Sequence, residues 1–289
     1  MKKIAITTDT NSGMIPNAYD EQDIFVLPMP FIIDGECLLE SVDLSRENFY
    51  KKLIGGSAVS TSQPSVGDLT DFWTKLLNDY EEIVHIPTSS KLSASFFTAK
   101  AQAKDFDGRV HLVDNHRLSV ALKSSVFDAA RYRDEGKSAQ EIVELLESQG
   151  QDFAIYFSIE TMEYLKKGGR ISPAAAAIGS ILKLRPVLQL SENGLAKHTI
   201  AKSLLKAKTA IKDAIKADLA GKFKDFADKG EMYLVGVYGN DPETAKAFEE
   251  EIRSTFPNLP FLFDDPMSLS IACHTGPGVL AAGVVRVTK

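Results

Sequence analysis

Within the first 115 residues, a short apolar run repeatedly ends in hydroxyls or an aspartate, and a helical pattern follows. Ile4–Thr8 ends at Asp9-Thr10-Asn11, and Val59–Ser62 leads into Gln63-Pro64-Ser65. Ile83–Ile86 runs into Pro87-Thr88-Ser89-Ser90-Lys91-Leu92-Ser93, and Val110–Val113 ends at Asp114-Asn115. Strand, polar turn and helix in repetition predict a parallel α/β sheet, because parallel strands need a crossover that is usually helical. Such sheets bind ligands outside the carboxyl ends of their strands. The hydroxyl turns at 60–65 and 88–93, with Asp9 and Asp114, are therefore expected at one edge.

Ile24–Ile33 reads as one extended run that Pro28 and Pro30 bend or confine to an edge. Helical patterns cover about 43–53, 66–80, 94–103, 118–133 and 139–148. Beyond 150 the texture changes. A strand at Phe153–Phe157 and a short helix ended by Gly168-Gly169 precede an Ala-rich helix, which Ser172-Pro173 would start and which would run to about Leu184. Asn193-Gly194 turns a hairpin between Val187–Leu190 and Leu195–Ile200. Helices at 203–219 and 242–256 alternate with strands at 232–238, 261–263 and 279–287. The pattern predicts two α/β domains, 1–150 with a largely parallel, Rossmann-like sheet and 151–289 with a mixed sheet and helices.

A net charge of −6 and a pI near 5.5 argue against nucleic acid as the main ligand. No window approaches the apolar length of a membrane span, and Thr7-Thr8-Asp9 breaks the first apolar run too early for a signal peptide. The two cysteines, Cys37 and Cys273, make no disulfide framework and suit a reducing compartment. A soluble cytoplasmic protein is expected.

Three stretches could carry chemistry. Thr61, Ser62 and Ser93 offer hydroxyl donors to a small anion, although an ST-turn and a helix cap explain the same residues. Lys166-Lys167-Gly168-Gly169-Arg170 presents a guanidinium suited to carboxylate or phosphate, or merely a helix C-cap with a surface Arg. His274-Thr275-Gly276-Pro277-Gly278 could set a histidine against a ligand on a rigid turn, or hold a structural one. An extended strand at Cys273 and His274 would point them to opposite faces, arguing against a Cys–His dyad. His85, His111, His116 and His198 show no metal spacing, so no metal and no cofactor are expected. Asp9 could serve a phosphotransfer loop, although Asn11 stands where a second aspartate would be needed. Lys208, Lys212 and Lys216 form an i, i+4 stripe that is either a solvated face or a dock for an acidic partner.

Taken together, these segments resemble the DegV family of bacterial fatty-acid-binding proteins over essentially the whole chain. The resemblance rests on Thr8-Asp9-Thr10, Thr61-Ser62-Gln63-Pro64-Ser65, Ser89-Ser90-Lys91-Leu92-Ser93, Leu165-Lys166-Lys167-Gly168-Gly169-Arg170-Ile171 and His274 to Gly278. It implies two α/β domains with a long-chain fatty acid between them. Thr61, Ser62 and Ser93 would hold the carboxylate, with His274 and Arg170 in or around that network. It further implies a separate ATP-dependent fatty acid kinase as partner, which phosphorylates the presented carboxylate to acyl phosphate. The alternatives are a lipid sensor without a kinase partner and a phosphotransferase using Asp9. By polarity, Phe96, Phe97, Ile178 and Ile181 are candidates to line the acyl tunnel. The chain departs from the family pattern at Ala94, where Gly is usual, and at Ile200-Ala201-Lys202-Ser203, where Lys202 replaces an Arg.

Overall fold

The computed structural model describes residues 2–171 and 184–288. The expected Ser172-Pro173 helix start, its Ala-rich helix, Ile178 and Ile181 lie outside the described residues. The first part of the chain gives β1 (Lys2–Asp9), β2 (Ile24–Leu27), β3 (Pro30–Ile33), β4 (Glu36–Leu39), α1 (Arg46–Ile54), β5 (Val59–Thr61), α2 (Val66–Leu76), β6 (Tyr80–Ile86), α3 (Ser95–Gln102), β7 (Val110–Leu112), α4 (Ser119–Asp134) and α5 (Ala139–Ser148). The remainder gives β8 (Phe153–Ser158), α6 (Glu163–Lys167), β9 (Arg185–Ser191), β10 (Gly194–Ala201), α7 (Leu204–Ala220), α8 (Lys224–Asp228), β11 (Met232–Tyr238), α9 (Pro242–Thr255), β12 (Phe261–Pro266), α10 (Leu269–Thr275) and β13 (Leu280–Arg286).

A four-stranded sheet in the order β2-β1-β6-β7 is parallel throughout, as the repeated strand–turn–helix pattern requires. Its strands are buried on both faces. Ile6, Val26 and Val84 face Leu122 of α4 and Ile142 of α5, while Ala5 and Ile83 face Trp73 of α2 and Ala99 of α3. The local signals that set the helices are visible. Ser65 caps α2 through the Asp68 N–H, and Ser138 with Glu141 closes a reciprocal capping box on α5.

The second sheet has six strands in the order β10-β9-β8-β13-β11-β12, mixed because β11 and β12 pair in parallel while the others are antiparallel. Alternation along its strands makes two apolar faces. Ala154, Tyr156, Leu234 and Ala282 pack on Ile211 and Ile215 of α7 and Phe248 of α9. Ile155, Phe157, Leu190, Val237 and Ala281 face the other way, toward Val120 and Ala121 of α4.

A third, three-stranded sheet, β4-β3-β5, is antiparallel and corrects two expectations. Ile24–Ile33 is not one bent strand: Pro28 and Met29 separate β2 of the parallel sheet from β3 of the small one. Val59–Thr61 is likewise no part of the parallel sheet; it pairs with β3, so the 60–65 turn is carried to the site by a separate element. Helix α2 stops at Leu76 because the chain must be extended by Tyr80, which pairs with Lys2 on β1. Residues 269–275 are helical, with Ser268 capping the Ile271 N–H, so Cys273 and His274 do not lie on the extended backbone assumed for them. The extended-strand argument against a Cys273–His274 dyad therefore does not apply. Burial, with help from Glu40, pushes the Cys273 thiol up to about 12, which removes it as a nucleophile instead.

Candidate functional site

A cavity of about 310 Å³ lies between the parallel sheet's loops, helix α10 and the inner face of the six-stranded sheet. Its floor is apolar: Ile155, Phe157, Leu190, Val237 and Ala281 contribute from β8, β9, β11 and β13. Its polar wall contains Thr61, Ser62, Ser93, Arg170 and His274, so the five residues singled out in the sequence border one space. Phe96 and Phe97 do not line it; Phe96 is buried in α3 and Phe97 is 60% exposed. The floor comes from strands, whose side chains alternate, rather than from that helix.

Packing places each of the five. Phe31 of β3 and Phe49 of α1 pack on Leu269, Ala272 and Cys273, seating α10 against the small sheet. This contact brings His274 Nε2 to 2.8 Å from Thr61 Oγ1 across 213 positions of sequence. The Ser62 hydroxyl donates to the Gln63 carbonyl at 3.1 Å, on the exposed side of the same turn. The Ser93 hydroxyl accepts from the N–H of Ser95, the first residue of α3, at 3.2 Å and lies 2.8 Å from Ser95 Oγ. Arg170 is exposed at the rim, where Nε donates to the Leu92 carbonyl at 3.1 Å and Nη1 to the Gly168 carbonyl at 2.6 Å. The guanidinium thereby ties the α6 end to the 88–93 turn.

Burial, with the nearby Arg170 charge, lowers the His274 pKa to about 4. The ring is therefore neutral at physiological pH. A neutral imidazole that donates from Nε2 leaves the Thr61 proton free for an anion; the other tautomer would consume it.

Beneath the hydroxyls lies a buried polar network that the sequence reading did not assemble. Asn11 Nδ2 donates to Thr88 Oγ1 at 2.9 Å, and Asn11 Oδ1 accepts from the hydroxyls of Ser268 and Ser270. Asn11, Thr88 and Ser270 border the cavity as well. Thr88 and Asn11 stood in turns already marked as polar; Ser270 was hidden because no element was assigned to its segment. Asp9 is spoken for: Oδ2 accepts from the Thr88 N–H at 2.8 Å and Oδ1 from the Asn11 N–H at 2.9 Å. Burial pushes its carboxyl above the usual carboxylate range. Asp9 clasps the ends of β1 and β6, a structural role that leaves no oxygen aimed into the cavity.

Lys208 and Lys212 each lie 3.0 Å from a Glu251 carboxylate oxygen, so most of the lysine stripe is paired with α9. Among the described residues there is no cluster of His, Cys, Asp and Glu able to hold a metal, and no helix long and apolar enough to cross a membrane.

Comparison with known proteins agrees with this architecture. A DegV domain-containing protein of Streptococcus pneumoniae is 28% identical over 293 residues, spanning 99% of each chain. A solved Thermus thermophilus DegV family protein, described by its fatty acid binding, matches with a TM-score of 0.88 at 27% identity, over 99% of this chain and 100% of that one. Bacillus subtilis DegV, described as a fatty acid binding protein, matches with a TM-score of 0.83 at 25% identity, over 99% of this chain and 100% of that one. The family model described as "Uncharacterised protein, DegV family" matches residues 3–287, and the chain belongs to that family.

Proposed function

We propose that this protein binds a long-chain fatty acid in the cavity and presents its carboxylate to a separate ATP-dependent kinase. The observation that carries the reading is one apolar cavity whose wall gathers Thr61, Ser62, Ser93, His274 and Arg170. A fatty acid is an anion on a long apolar tail, and the cavity has both surfaces. Each buried methylene contributes about 0.8 kcal/mol, so the floor supplies affinity and the hydroxyls fix which end is up. Hydrogen bonds to a charged group are worth about 1.5–3 kcal/mol each, which lets hydroxyl donors hold a carboxylate without a buried cation.

In this reading the sheets on either side of residue 150 belong to two α/β domains, 1–150 and 151–289, with the acyl chain between them. Thr61 donates to the carboxylate while accepting from neutral His274, Ser93 donates from the 88–93 turn, and Ser62 and Arg170 stand at the solvent side. No residue of this chain attacks the ligand. The partner transfers the terminal phosphoryl group of ATP to a carboxylate oxygen, giving acyl phosphate and ADP, with Arg170 near the added charge. Unpaired Cys37 and Cys273 support a cytoplasmic setting. The engaged carboxylate of Asp9 speaks against phosphotransfer on this chain.

Native mass spectrometry of the purified protein tests the binding step, with a co-purified fatty acid expected. Thr61→Ala combined with Ser93→Ala should weaken retention at least tenfold, from the loss of two such hydrogen bonds; full retention would refute the site assignment. Adding a fatty acid kinase and ATP and assaying acyl phosphate separates a presenting subunit from a lipid sensor.

A further inference from the structure

The cavity floor is one face of the six-stranded sheet, and the strand in its middle is β13. Ala281 on β13 pairs with Phe157 on β8 and with Val237 on β11, and all three border the cavity. A single methyl group therefore stands between a phenyl ring and an isopropyl group. One row along, Gly283 pairs with Ile155 and Val235. A Cβ at Gly283 would lie 2.2 Å from the Ala154 carbonyl oxygen, so position 283 itself can carry no side chain. At Ala281 an added carbon enters the cavity itself.

We propose that Ala281 is a specificity-determining residue whose size sets how much acyl chain the cavity admits. The inference rests on the fatty acid reading above. Each carbon added at 281 takes room that an acyl methylene would occupy, and a methylene left in water loses a factor of about four in affinity. Valine adds two carbons to alanine and leucine adds three. The preference for a long chain over a short one should therefore fall about 15-fold in Ala281→Val and about 60-fold in Ala281→Leu.

The test uses full-length protein stripped of lipid and incubated with an equimolar mixture of decanoic, tetradecanoic and octadecanoic acids, read by native mass spectrometry. The expected result is a stepwise shift toward the shorter acids from wild type to valine to leucine. If the leucine variant does not fold, the valine variant decides alone. A folded variant with the wild-type chain-length profile would overturn the assignment and leave the fatty acid reading intact. Equal loss of short and long acids would also overturn it, because that is the mark of damage to the carboxylate site. No acid bound by the wild type would overturn the fatty acid reading, and this inference with it.

Discussion

Gly168 has an ordinary helical φ of −74°, so backbone freedom is not what requires glycine there. The reason is proximity: a Cβ on Gly168 would lie 2.1 Å from His274 Nδ1. The ring could not stay where it reaches Thr61. We expect Gly168→Ala to leave the fold intact and to lower fatty acid affinity about tenfold, the worth of one misplaced hydrogen bond, measured by displacement of a fluorescent fatty acid. Gly276 has a different reason. Its φ of +75° is open mainly to glycine, and a Cβ would lie 2.4 Å from the Tyr164 ring. The lowered pKa of His274 carries a further consequence. With the folded value near 4, the ring stays neutral from pH 8 to pH 5, so affinity should show no step near the usual histidine pKa of 6.5. Titration of bound ligand across that range by calorimetry checks it, and a step near 6.5 would mean an ionised ring.

At the scale of elements, the hydroxyl turn divides its labour. Ser65 Oγ accepts from the Asp68 N–H at 3.0 Å and starts α2, whereas Thr61 faces the cavity from β5. The helix cap and the cavity wall are thus supplied by different side chains in this turn, while Ser93 borders the cavity and also accepts from the first N–H of α3. Ser65→Ala should cost about 1 kcal/mol, a few degrees in melting temperature, and leave ligand retention unchanged. Thr61→Ala should show the reverse pattern in paired melts and binding assays. Much at this level was legible from the sequence. Strand–turn–helix periodicity predicted the parallel sheet, and Asn193-Gly194 predicted the β9–β10 hairpin, which the register confirms. The small sheet was not legible, because β3, β4 and β5 are three or four residues long and β5 joins β3 only across α1. Helix α10 was missed because Gly276, Pro277 and Gly278 follow it so closely that the stretch reads as a turn.

At the scale of the whole molecule, Glu40 joins parts of the chain remote in sequence. Only 3% exposed, it accepts from Thr10 Oγ1 at 3.1 Å and from the Leu269 N–H at the start of α10, the helix that bears His274. Burial raises its pKa to about 7, against opposing hydrogen bonds and the Arg46 charge. Between the unfolded value of 4.5 and the folded value of about 7, the folded protein holds more protons than the unfolded chain. Stability contributed by this group is therefore lost as pH rises through that window. His85 has the opposite sign: it is buried with a pKa lowered to about 3, so its contribution is lost as pH falls below 6.5. Glu40→Gln fixes the side chain neutral. Wild type should lose about 2–3 kcal/mol relative to that variant between pH 5 and pH 8, seen in urea melts. Parallel curves would mean that Glu40 does not titrate there.

The sequence by itself determined the parallel sheet, the change of texture near residue 150 and the residue types of the polar wall, because strand period, helix caps and turn chemistry act over a few neighbouring positions. It also named Thr61, Ser62, Ser93, Arg170 and His274, which the family resemblance, and no local pattern, gathered into one expected network. Only the tertiary structure decided that they share one cavity, that Asp9 is consumed in a clasp, and that strands rather than α3 build the floor. Those outcomes depend on contacts such as Thr61 to His274, 213 residues apart, which form when α10 seats on the small sheet. Such pairings follow from packing of whole elements, and no local periodicity encodes them.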